Sequence, residues 1–75
     1  MIKKLTDLKQ GQKAVIKDFE TDDLKIKLME MGCMPGENIM LEQIAPLGDP
    51  ISFLIQGYTL SLRRNEADQI LVIVE

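Results

Sequence analysis

Apolar and polar positions alternate over short stretches along most of this chain, and turn residues separate the stretches at close intervals. That is the pattern of several short strands. After a leader whose Leu5 and Leu8 can dock on a core, Gly11 opens a run from Gln12 to Phe19 containing Ala14, Val15 and Ile16, which reads as a first strand. Pro35-Gly36 marks a turn, and Glu37 to Ala45 reads as a second strand, with Ile39 and Leu41 on one side and Met40 and Glu42 on the other. The clearest register lies in Ile51 to Ile55 and Tyr58 to Leu62, separated only by Gln56 and Gly57. A two-residue hairpin loop pairs Ile55 with Tyr58, Phe53 with Leu60 and Ile51 with Leu62 on one face. The other face then carries Ser52, Thr59 and Ser61, but also Leu54, which needs a cover. Ile70 to Val74 is apolar throughout, so if Ile70, Val72 and Val74 enter the core, Leu71 and Ile73 must meet something else.

Two helices interrupt these strands. Thr21, Asp22 and Asp23 supply a cap and negative charge at a helix start, Leu24 to Met31 follows, and Gly32 ends it. Leu24, Leu28 and Met31 stand at i, i+4 and i+7 and form the stripe expected to be buried. Asn65 is placed to cap a single turn through Glu66, Ala67, Asp68 and Gln69. The fold expected is mainly β: a small five-stranded SH3-like barrel with one short α-helix and a single-turn helix before the last strand. Closure would remove edges that invite aggregation. Residues 1–75 are expected to form a single domain.

Composition narrows the function classes. Seventy-five residues at 8.5 kDa leave little room for most enzymes. The single cysteine, Cys33, cannot make an internal disulfide, and a reducing compartment fits best. No run of residues serves as a signal peptide or membrane span, so a cytoplasmic protein without direct membrane insertion is expected. All seven lysines lie at or before Lys27: residues 1–27 carry seven positive and five negative charges, residues 28–75 two and seven. The acidic balance and scarce aromatics argue against a nucleic-acid partner.

The order Leu28-Met29-Glu30-Met31-Gly32-Cys33-Met34-Pro35-Gly36, Pro46-Leu47-Gly48-Asp49-Pro50-Ile51, Gly57-Tyr58, Leu60-Ser61-Leu62-Arg63 and Glu66-Ala67 resembles the FeoA family over almost the whole chain. Lys27 stands where that family usually has Arg, and Cys33 where it usually has Ile or Leu. The resemblance implies an SH3-like accessory protein of bacterial ferrous-iron uptake, acting beside the permease FeoB without catalytic residues or a cofactor. It also implies recruitment to the inner face of the membrane through that partner.

The residues fit this reading. Histidine is absent, and Ser52 and Ser61 have no base beside them. Glu20, Asp22 and Asp23 form the densest carboxylate cluster, an alternative site for direct ferrous-ion binding, although helix capping also explains them and the spacing lacks the turn Gly and distal Glu of a calcium loop. Cys33 with Met31 and Met34 reads either as a soft metal site or as packing. Arg63 and Arg64 are expected to pair with Glu66 or Asp68 or to rim a contact. The partner-binding surface is placed on the helix and its exit, at Ile26, Met29 and Met34 with Lys25 and Lys27 as a charged rim, and at Leu54. Self-association is left open.

Overall fold

The computed structural model describes residues 1–74. Its strands are β1 (Ile2–Lys4), β2 (Lys13–Phe19), β3 (Asn38–Ile44), β4 (Ile51–Ile55), β5 (Tyr58–Leu62) and β6 (Ile70–Ile73). Helix α1 (Asp22–Glu30) joins β2 to β3, and the single-turn α2 (Arg64–Ala67) joins β5 to β6. The architecture is mainly β, as expected, but the strands number six and not five. The leader supplies the extra one: Ile2, Lys3 and Lys4 pair antiparallel with Ile73, Val72 and Leu71.

All neighbouring strands are antiparallel, in the order β1-β6-β2-β3-β4-β5. This sheet is open, with β1 and β5 as its edges, so the closed five-stranded barrel is corrected to an open six-stranded sheet. Two irregularities bend it, between Ile16 and Asp18 on β2 and between Leu41 and Gln43 on β3. An extra residue at such a point sharpens the local twist and curls the sheet. The curl gathers one face of every long strand into a single core, where Ile16, Ile39, Leu41, Phe53, Leu60, Ile70 and Val72 lie together. Leu5, from a 3-10 turn over Leu5–Asp7, and Ala67 of α2 join the same core.

The β4–β5 register is the expected one at every position, Ile51↔Leu62 through Ile55↔Tyr58. Its turn needs both central residues at positive φ, and Gln56 (φ 49°) and Gly57 (φ 81°) provide that. Ile70, Val72 and Val74 are buried while Ile73 stays exposed and Leu71 half-buried, as the alternation predicts.

Candidate functional site

Helix α1 begins where Thr21 Oγ1 accepts the Leu24 N–H at 3.3 Å, with Asp22 and Asp23 in the first turn favouring the positive end of the helix dipole. It ends in a doubly bonded C-terminal cap: the Cys33 N–H donates to the Leu28 carbonyl at 2.9 Å and the Gly32 N–H to the Met29 carbonyl at 3.1 Å. This cap needs Gly32 at φ +86°. A Cβ there would also stand 2.8 Å from Tyr58 Oη, whose hydroxyl donates to the Met31 carbonyl. Tyr58 thereby ties the hairpin end to the helix exit. Sequence reasoning placed its ring on the inner face but missed this bond, which no local pattern announces.

The buried stripe of α1 is Leu24 and Leu28 alone. Met31, expected in it, is exposed, because the chain leaves the helix at that residue and turns its side chain off the packed face. Of the predicted site residues, Ile26 is 60% exposed, Met29 38% and Met34 39%. Lys25 is half-buried and takes part in no ion pair among the described residues, where the pairs within 4 Å are Lys4–Asp68 and Lys27–Glu66. Lys27 Nζ lies 2.6 Å from Glu66 Oε2, so its charge is held against α2, while Lys25 is left without an ion pair among the described residues. That contact, with the Arg63 N–H bonded to the same carboxylate, holds Glu66 below the usual glutamate range.

Leu54 stands apart from the helix patch. It is half-buried on the outer side of the sheet, in a shallow groove with Lys13, Met40 and Gln56. The outer side holds further apolar residues, since Ile2 faces Ile73, Ile73 faces Val15, and Met40 faces Leu54 across the ladder.

Two alternatives left open by the sequence find no support, and two expectations change. The structure does not assemble Glu20, Asp22 and Asp23 into a ligand set: among the described residues, no group of three or more His, Cys, Asp or Glu is placed to hold a metal ion. Cys33 is fully buried among the core residues while Met31 and Met34 are exposed, so the three sulfur side chains do not share one environment, and burial pushes the Cys33 thiol up to about 11. Arg63 and Arg64 pair with neither Glu66 nor Asp68. The Arg64 N–H donates to Asp49 Oδ1 at 3.0 Å and its Nε to the Gly48 carbonyl at 3.2 Å, pinning the loop before β4. Helix α2 starts earlier than expected because Glu66 Oε1 reaches back to the Arg63 N–H at 3.1 Å and does the capping assigned to Asn65.

Residues 3–74 match the family model described as the FeoA domain. A curated relative from Porphyromonas gingivalis, an Fe(2+) transport protein A/Fe(2+) transporter FeoB fusion protein, is 39% identical over 68 residues. The match takes in 89% of this chain and 8% of the relative, so the chain spans a small part of that protein's length. The solution structure of the FeoA protein from Chlorobium tepidum superimposes with a TM-score of 0.89 at 36% identity, covering 96% of this chain and 70% of that one. For iron(II) transport protein A from Clostridium thermocellum the TM-score is 0.88 at 46% identity, with 96% of this chain and 45% of that one covered.

Proposed function

Because this chain belongs to the FeoA family, an SH3-like family of ferrous-iron transport, we propose that residues 1–75 act as one non-enzymatic accessory unit that binds the cytoplasmic region of a FeoB-like permease. The observation that carries this reading is the exposure of Ile26 and Met29 on a helix that is otherwise capped and packed, and of Met34 just beyond its end. Large exposed side chains close in sequence to Lys25, which forms no ion pair within 4 Å among the described residues, have the composition of a contact surface with an apolar centre and a charged rim. Met29 and Met34 add adaptability, since the thioether side chain repacks against varied surfaces.

The fused relative supports the choice of partner. A domain covalently joined to the transporter meets it at high effective concentration, so a patch of a few side chains suffices for contact. Such contact would bring the chain to the inner face of the membrane by way of its partner. No helix among the described residues is long and apolar enough to cross it. The alternative reading, direct ferrous-ion binding, requires a ligand set that the described residues do not bring together.

Calorimetric titration with the cytoplasmic region of the permease, with and without guanine nucleotide, tests the proposal. Ile26→Glu should weaken binding by about tenfold or more, the loss typical of a central apolar anchor. Lys25→Glu should mainly slow association and alter its salt dependence. Binding unchanged in Ile26→Glu would remove the helix patch from the interface. Stoichiometric ferrous-ion binding without the permease would favour the alternative.

A further inference from the structure

The two edges of the sheet are built differently. β1 is three residues long and two of them are lysines, the usual protection of an edge against pairing with another chain. β5, Tyr58-Thr59-Leu60-Ser61-Leu62, is five residues long with no charge, proline or bulge. Its register with β4 and its two-residue turn make Tyr58, Leu60 and Leu62 the members bonded to β4. The N–H and C=O groups of Thr59 and Ser61 therefore point away from the sheet. Among the described residues no loop or side-chain bond reaches those groups, and both side chains are exposed.

We propose that β5 is a strand-pairing edge for a second copy of this chain, joined antiparallel about a two-fold axis at Leu60. The sequence of the strand is complementary to itself in that register. Thr59 meets Ser61 of the second copy twice, and each meeting is a hydrogen-bonded pair exchanging two backbone bonds, so four orphan N–H groups and four orphan carbonyls are served. Inward, Tyr58 meets Leu62 and Leu60 meets its own copy; outward, hydroxyls meet hydroxyls. No like charges oppose one another.

The flanking charges also match. Arg63, exposed and extended beyond β5 (φ −69°, ψ 149°), forms no ion pair within 4 Å among the described residues. Glu42 accepts a hydrogen bond from the Thr59 hydroxyl at 3.1 Å and forms no ion pair within 4 Å among the described residues. Two-fold pairing sets Arg63 of the second copy diagonally across from Thr59, about 7–8 Å away and within an arginine's reach of Glu42. Two such pairs form per dimer. Two five-residue edges cover less than the roughly 1,200–2,000 Å² of a stable interface, so the dimer is reversible and concentration-dependent.

Sedimentation equilibrium, with amide exchange followed by NMR from micromolar to millimolar protein, tests this. A monomer–dimer equilibrium should appear, and the Thr59 and Ser61 amides should gain protection with concentration. Thr59→Lys with Ser61→Lys opposes like charges twice and should weaken the dimer roughly tenfold, whereas Thr59→Lys with Ser61→Glu opposes unlike charges and should hold or tighten it. Both variants change exposed side chains, and their melting temperatures report whether the monomer stays folded. A monomer at every concentration, protection elsewhere than Thr59 and Ser61, or equal dimerisation by the two double variants overturns the proposal.

Discussion

The β4–β5 hairpin and helix α1 with its exit hold similar stocks of large apolar residues, and the fold uses them in opposite ways. In the hairpin, Ile51, Phe53, Ile55, Leu60 and Leu62 are all buried. In the helix and its exit, Leu24 and Leu28 are buried while Ile26, Met29, Met31 and Met34 remain exposed. Strand alternation sends every second side chain to the same face, so a curled sheet can bury a whole face. A helix packed against that same core touches it along one narrow stripe. Stability should therefore concentrate in the hairpin and its neighbours, and the helix should hold surface that folding does not need.

The largest test of that contrast is Phe53→Ala. Phe53 is completely buried, and truncating a buried Phe costs about 3–5 kcal/mol, a large share of the stability of any small domain. Thermal unfolding should shift down by roughly 4–8 °C per kcal/mol or lose its cooperative transition. A shift of only a few degrees would show that the hairpin is not where the stability resides.

The next effect concerns the point where the two regions meet. Gly32 and Gly57 both have positive φ, but a Cβ at Gly32 would press on Tyr58 Oη while one at Gly57 meets open space. Asn tolerates the left-handed region, so Gly57→Asn should be nearly neutral and Gly32→Asn should cost about 1–3 kcal/mol, as strain plus the displaced tyrosine demand. Gly57→Val, which cannot adopt that φ easily, should cost about as much as Gly32→Asn. Urea titration of the three variants reads the order. Equal losses for Gly32→Asn and Gly57→Asn would mean that Tyr58 yields freely and the helix exit is not fixed by the hairpin.

The same contrast explains what was legible in the sequence. The hairpin register was readable residue by residue because its two alternating runs flank a turn whose length fixes the pairing. The cap at Thr21 and the stop at Gly32 were readable because each is a local backbone event with its own residue preference. β1 was not, since three residues cannot establish a period of two and their partners on β6 lie some seventy positions away. The exposure of Met31 was hidden by helical spacing, which holds only while the helix continues. The exposure of Ile26, Met29 and Met34 was legible as an excess of apolar side chains over the faces available to bury them, whereas nothing in the sequence showed that Lys27 is occupied by Glu66.

That ion pair gives a smaller, pH-dependent effect. Its carboxylate is held below its ordinary value of 4.5, chiefly by the hydrogen bond from Lys27. A group whose folded value is lowered stabilises the protein fully above its ordinary range, and the contribution is lost as pH falls through the lowered value. Because Lys27 is well exposed, water and salt screen the pair and its contribution is below about 1 kcal/mol. Lys27→Met should thus be slightly less stable than the parent chain at about pH 7 and become indistinguishable from it once the pH has fallen below the lowered value. A stability gap that persists in acid would mean that the lysine stem, and not its charge, fastens α1 to α2.

The smallest expected effect is the one that bears most on function. Ile26 lies mid-helix and is 60% exposed, so replacing it removes little buried area. Ile26→Glu also exchanges a β-branched residue for a better helix former, which offsets part of the packing that is lost. The change in unfolding free energy should stay within about 0.5 kcal/mol, the range of an ordinary surface substitution. Chemical denaturation of the isolated chain measures it before any partner is added. If Ile26→Glu were instead as damaging as Phe53→Ala, the helix face would be part of the packed core, and the loss of permease binding in the same variant would report unfolding. A near-zero effect on folding is what allows a loss of binding to be assigned to the surface itself.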